Sequence, residues 1–244
     1  MRLVDPLAVR QSRVQTLGQL PERLSALVLM LHGGRSRGYG RAHALRLAYQ
    51  RMLPFASDLR RTGQTADGAG LGVAVVRYRY RGWNAPDDDA LRDAESALAY
   101  TEQVHPDTPV VLLGHSMGAR AALAAAGHPQ VAAVCALAPW LDGSDQVGQL
   151  AGRSVLIAHG DRDRMTDAGA SYEYALRATR VTDRVCRFEV RGDGHAMLRR
   201  ASDWSRLVRR FVLGETGITP LDPEITDAMR RPAPAGLRTT LAPR

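Results

Sequence analysis

Pro109-Val110-Val111-Leu112-Leu113-Gly114-His115-Ser116-Met117-Gly118 is the stretch whose reading decides the fold of this chain. Its first five residues are an apolar run of valine and leucine, the composition of a buried strand, and the alanine-rich residues 119–126 behind the motif predict a helix. Between them stands Ser116, with a glycine two residues before it and another two residues after it. So tight a turn pushes the serine backbone toward unfavourable dihedrals. It also brings strand and helix so close that side chains at positions 114 and 118 would collide. The Ser116 hydroxyl is thereby lifted clear of the sheet, and the first helical N–H groups point at whatever it attacks. This strand–serine–helix pattern is a nucleophile elbow.

Working outward, the apolar run at residues 25–31 ends in His32-Gly33-Gly34, and residues 71–76 form a second run. Further strands are expected at 131–137, 154–158 and 185–190, with helices over 41–62, 86–104, 168–180 and 201–212. Strands without polar alternation, separated by helices, imply a parallel sheet covered on both faces and joined by right-handed crossovers. The expected fold is an α/β three-layer sandwich with a mostly parallel sheet of about six strands. Residues 1–213 are read as this domain. Residues 214–244, with many Pro, Thr and Arg and weak periodicity, are read as a loosely packed or flexible tail.

Composition narrows the function classes. The 244 residues are 45% hydrophobic and 24% charged, ordinary values for a globular protein. No apolar run approaches the ~20 residues that span a bilayer. Residues 1–20 are broken by Asp5, Pro6 and several Arg and Gln, unlike a secretory leader, so a cytoplasmic protein without membrane contact is expected. The net charge of +8 comes entirely from arginine, with no lysine, which suggests GC-rich coding more than a binding face. No nucleic-acid-binding module is present, so a small-molecule substrate is expected, and attraction of anionic ones stays open. Cys135 and Cys186 sit inside expected strands and read as buried reduced thiols. Neither metal-ligand spacing nor a nucleotide-binding loop occurs, so neither a metal nor an organic cofactor is expected. Nothing in the sequence sets an oligomeric state.

Over residues 24–213 the chain resembles the α/β-hydrolase superfamily, in its small, capless, serine esterase-like branch. His32-Gly33-Gly34, the elbow at Ser116, and Asp163 followed by His195 carry the resemblance. Each lies at the C-terminal end of an expected strand, in the family's order Ser, Asp, His. A serine hydroxyl is a poor nucleophile until a base takes its proton. An imidazole, with a reference pKa of about 6.5, suits a base that later acts as acid, and His195 in Gly192-Asp193-Gly194-His195 can loop back over Ser116. The acid that orients the ring is Asp163, which fits the family's Gly-x-x-Asp pattern from Gly160. Asp161 is the close competitor and reads as a turn former.

The resemblance also implies an oxyanion hole made by the backbone N–H groups of Met117 and Gly34. His32 and His159 match structural histidines of these loops. The span 140–153, where many members insert a cap, is too short for a helical lid, and the usual early antiparallel hairpin is expected to be missing. Tyr39, Trp83 and Trp140 are candidate pocket walls, and Arg35 and Arg37 follow the oxyanion loop closely enough to grip a carboxylate or phosphate. The expected activity is that of a serine hydrolase, a carboxylic ester hydrolase that cleaves a small ester or thioester through an acyl-enzyme. An acyltransferase, cyclase or perhydrolase using the same intermediate, and a non-hydrolytic binding protein, are the alternatives.

Overall fold

The computed structural model describes residues 12–65 and 67–243. The expected apolar runs become strands of one sheet. These are β2 (Arg23–Leu31), β3 (Ala69–Arg77), β4 (Val110–His115), β5 (Val131–Leu137), β6 (Ser154–Gly160) and β7 (Val185–Val190). Two more strands flank them, β1 (Arg13–Thr16) and β8 (Thr239–Thr240), and the sheet order is β1-β3-β2-β4-β5-β6-β7-β8. All pairs are parallel except β1 with β3, so the sheet has eight strands where about six were expected.

Both additions have a physical reason for escaping the pattern. The Arg13–Thr16 strand is an exposed edge strand that buries almost nothing, and so carries no apolar run. It pairs antiparallel with β3, Arg13 to Arg77 through Thr16 to Ala74, and among the described residues this one strand, not a hairpin, opens the sheet. The two-residue strand β8 is too short for any periodicity.

The tail is corrected as well. The chain after Gly214 forms α7 (Pro223–Arg230), capped by Asp222, and then β8. Ile225, Ala228, Leu237 and Leu241 are buried against the sheet. Four anchors at scattered spacing hold this segment, which is why it shows no helical or strand period.

Period two along each strand splits its side chains between the faces. Leu27, Leu29 and Leu31 pack under α3 (Asp89–Val104), α4 (Met117–Ala124) and α5 (Ala168–Ala178), while Val28 and Met30 pack under α2 (Leu53–Thr62) and α6 (Ala201–Glu215). On α6 the residues Trp204, Leu207, Val208, Phe211 and Val212 recur at three- and four-residue steps and are all buried. The helix read over 41–62 is shorter: a single turn, α1 (Leu47–Gln50), precedes α2, which starts with Pro54 in its first turn. Cys135 and Cys186 are free and buried, and burial raises both thiols well above their ordinary range. Between β5 and β6 the chain forms only the short 3-10 turn Gly148–Leu150, so no cap helix sits there. Among the described residues, no helix is long and apolar enough to cross a membrane.

Candidate functional site

Parallel strands deliver all their C-terminal ends to one edge of the sheet, and ligands of open α/β sheets bind along that edge. Ser116 follows the end of β4 with φ 57° and ψ −121°, a conformation an L-residue adopts only under constraint. The constraint is visible at the flanking glycines. A Cβ on Gly118 would run into the Leu31 carbonyl, and one on Gly114 into the Gly118 carbonyl and the Ala119 backbone. Any side chain at either position would pry α4 off the sheet and relax the turn.

His195 arrives on the loop after β7. Its Nε2 lies 3.0 Å from the Ser116 Oγ, and its Nδ1 lies 2.8 Å from the Asp163 Oδ2. Asp163 follows β6, and its side chain is fully buried. Its two oxygens do separate work. Oδ1 accepts from the backbone N–H groups of Met165 and Thr166, fixing the turn, while Oδ2 faces the imidazole. Burial favours the neutral acid, yet the His159 and His195 rings and those two N–H groups outweigh it and hold the carboxyl well below the usual carboxylate range. Asp163 is a fixed negative charge at any ordinary pH.

Asp161 is placed elsewhere. Its Oδ1 accepts from the Gly192 N–H at 2.7 Å, tying the two loops together. Its neighbour Arg162 donates its backbone N–H to the Asp193 carbonyl at 3.0 Å.

Three supporting residues had gone unrecognised or under-read in the sequence. Thr166 donates to the Asp163 Oδ2 at 2.9 Å and sits 3.2 Å from the His195 Nδ1. The buried His159 brings its Nε2 to 3.3 Å from that same oxygen. The Asp193 carboxylate gathers the Trp204 indole N–H at 2.9 Å and the backbone N–H groups of Gly194 and Arg200, pinning the His195 loop to α6. The only sequence signal for Thr166 was its place three residues after Asp163, which reads equally well as a turn.

Two buried histidines, His32 and His115, are kept neutral. Burial lowers His32 to about 4 and His115 to about 3. His115 donates from Nε2 to the His195 carbonyl at 3.0 Å, bracing the loop from below.

Ser116 opens into a cleft of about 170 Å³ bordered by Gly34, Met117, Trp140, Met165, Thr166 and His195. A Cβ on Gly34 would strike the end of the Met117 side chain, and both residues border the cleft with Ser116. Met117 is the first residue of α4, and its N–H has no partner within the helix. Of the three expected wall residues, Trp140 alone borders this cleft. Trp83 lies behind it, with ring centroids 6.3 Å apart, and Tyr39 is exposed and packs edge-on to Tyr80. Tyr39 and Trp83 therefore lose their expected place as direct walls, because the 33–40 loop turns its tyrosine outward and Trp140 occupies the inner position.

Residues 28–243 match the model of the alpha/beta hydrolase family, and the chain belongs to that family. No curated protein matches the sequence. Among solved structures it is similar to a serine hydrolase without lid from Xanthomonas campestris, at 21% identity and a TM-score of 0.61, covering 90% of this chain and 100% of that one. It is also similar to Est1E from Butyrivibrio proteoclasticus with ferulic acid bound, at 14% identity and a TM-score of 0.64, covering 84% and 96%. A third similar structure is an acetyl ester-xyloside bifunctional hydrolase from Caldicellulosiruptor lactoaceticus, at 12% identity and a TM-score of 0.66, covering 88% and 92%. At these identities the likeness is one of fold.

Proposed function

We propose that this family member is a serine hydrolase that cleaves a small carboxylic ester or thioester through an acyl-enzyme. The observation that carries the reading is the continuous chain from the Ser116 Oγ through the His195 ring to the buried Asp163, at 3.0 and 2.8 Å. Ser116 attacks the acyl carbon while the His195 Nε2 takes its proton, and the carbonyl oxygen becomes an oxyanion within reach of the Met117 and Gly34 N–H groups. The imidazolium then gives that proton to the departing alkoxide or thiolate. Water, deprotonated by the same ring, attacks the acyl-enzyme and restores Ser116. Asp163 holds Nδ1 protonated and facing it, and stays ionised throughout.

No cap covers the cleft between β5 and β6, so bulk water reaches the acyl carbon, which favours hydrolysis over transfer to a second acceptor. The test is turnover of 4-nitrophenyl esters by wild type and Ser116→Ala, with fluorophosphonate labelling alongside. Turnover and labelling are expected in wild type and neither in the variant, at a melting temperature close to wild type. Turnover retained without the serine would remove Ser116 from the mechanism.

A further inference from the structure

The cleft at Ser116, about 170 Å³, falls below the ~300–1,000 Å³ of ordinary small-molecule sites, so it holds the reacting ester group and little more. The rest of the substrate must lie in whatever space adjoins it. Besides a cavity of about 330 Å³ between Phe55 and Met197 that shares no wall with the cleft, two cavities larger than the cleft flank this edge of the sheet. One, of about 300 Å³, lies behind Trp140 against Trp83, Arg120 and Tyr174, and shares no wall with the cleft. The other, of about 540 Å³, shares Gly34, Arg35 and Met165 with it.

That second cavity has an uneven chemistry. Ala42, Leu45, Leu47, Ala48 and Met165 give it an apolar lining, and Arg35, Arg46 and Arg81 supply three guanidinium groups with no carboxylate among its walls. None of the three forms an ion pair among the described residues, whereas Arg79, Arg120, Arg184 and Arg210 elsewhere are all paired with carboxylates. The Nε of Arg81 is shut off from solvent without a hydrogen-bond partner. The segment that builds most of the cavity's walls carries no counter-charge of its own: residues 24–57 contain no Asp or Glu, yet carry arginines at 35, 37, 41, 46 and 51.

Resting on the hydrolase reading above, we propose that the substrate is an anionic ester or thioester whose carboxylate- or phosphate-bearing arm occupies the cavity walled by Arg35, Arg46 and Arg81. The apolar lining takes the aliphatic part of that arm, and the guanidinium forks take its terminal oxyanion bidentately. Specificity would then come from a charged end several bonds away from the bond that breaks.

The test compares 4-nitrophenyl hydrogen adipate with its neutral methyl ester, 4-nitrophenyl methyl adipate. A third ester of the same chain length, ending in phosphate, distinguishes the two oxyanions. Wild type should favour an anionic ester in kcat/KM by about tenfold or more, a preference that fades as salt rises toward ~0.5 M. The triple variant Arg35→Gln, Arg46→Gln, Arg81→Gln should lose most of that ratio. Arg180→Gln, an exposed residue beyond α5 at the opposite end of the sheet, should keep it. Equal turnover of charged and neutral esters, or a preference that survives in the triple variant, overturns the proposal and leaves the hydrolase reading intact. Indifference to ester charge combined with activation by phosphatidylglycerol vesicles also overturns it, and makes the rim a lipid-facing surface. Turnover of none of these esters defeats the hydrolase reading, and this proposal falls with it.

Discussion

Two segments meet at the Ser116 cleft and are built in opposite ways. The loops after β6 and β7, which deliver Asp163 and His195, are stitched to each other by Asp161 N–H to the Val190 carbonyl, Gly192 N–H to the Asp161 carboxylate and Arg162 N–H to the Asp193 carbonyl. The stretch 41–48, which walls the neighbouring cavity, makes its hydrogen bonds only within residues 41–51, among the described residues. Leu45 and Leu47 there are 90% and 78% exposed, whereas Asp163 has no exposed side chain at all. A proton relay tolerates errors of only a fraction of an ångström, and on the proposed mechanism the groups that would move the proton are over-determined. The wall proposed to accept a substrate arm is held more loosely. The comparison predicts that substitutions in the stitched loops act on kcat, and substitutions around the rim on KM and selectivity.

The largest expected effect lies at the acid. Asp163→Asn keeps the shape but offers the His195 Nδ1 an amide in place of a buried carboxylate, and kcat should fall on the order of 10⁴-fold. Asp161→Asn leaves an amide oxygen that can still accept the Gly192 N–H, and should cost less than about tenfold. Kinetics of both variants on one activated ester check this, and the reverse ranking would hand the acid role to Asp161.

The positions of Ser116 and Asp163 at one edge of the sheet were legible in the sequence because an elbow and a Gly-x-x-Asp turn are local devices: each is written within five residues, and each ends a run rich in valine, leucine or isoleucine. The contributions of Thr166 and Asp193 were not, because a threonine in a turn and an aspartate between glycines look alike whether they bond locally or across the chain. Asp193 reaches Trp204, eleven residues on, and only the packing of α6 brings them together. The closing segment was illegible for another reason: β8 contributes two residues to the sheet, and α7 buries only Ile225 and Ala228. Tyr39 and Trp83 were misjudged because proximity in sequence to the oxyanion loop says nothing about which way a loop turns its side chains.

An intermediate effect concerns stability rather than rate, and sharpens the comparison by asking what the stitched side costs. His32 and His115, lowered by burial to about 4 and about 3, stay neutral in the folded chain where an unfolded chain would protonate them near 6.5. Below about pH 6.5 the unfolded state therefore binds more protons than the folded one, and stability falls as pH drops, by roughly 1.4 kcal/mol per pH unit for each histidine until its folded value is reached. Asp163 acts with the same sign in a more acidic window: its depressed carboxyl stabilises the fold above the unfolded carboxylate range, and that contribution is lost only under stronger acid. Denaturant midpoints measured from pH 7 to pH 4 should decline. His32→Gln, which can still donate toward the Gly33 carbonyl, should flatten the slope. A slope unchanged by that substitution would mean that His32 titrates alike in both states.

The smallest expected effect lies at the rim of the cleft on the Trp140 side. Arg120, on the first turn of α4, packs its guanidinium 4.8 Å from the Trp140 ring and 4.7 Å from the Trp83 ring, and its nitrogens donate to Asp145 and Asp142, each at 2.7 Å. One side chain thus connects the nucleophile helix to the wall and to the 142–147 loop. Replacing it by methionine keeps some bulk over the two indoles but strips Asp145 of its cation, at a cost of about 1–3 kcal/mol in stability. Catalytic geometry does not depend on it, since the Arg120 side chain touches neither His195 nor Asp163, so kcat should stay within about twofold while KM rises about threefold as Trp140 gains freedom. Arg120→Lys should recover part of the stability but little of the KM, because an ammonium cannot stack flat against two indole rings while bonding two carboxylates. A large fall in kcat with KM unchanged would place Arg120 on the stitched side of the site and break the division drawn between the two segments.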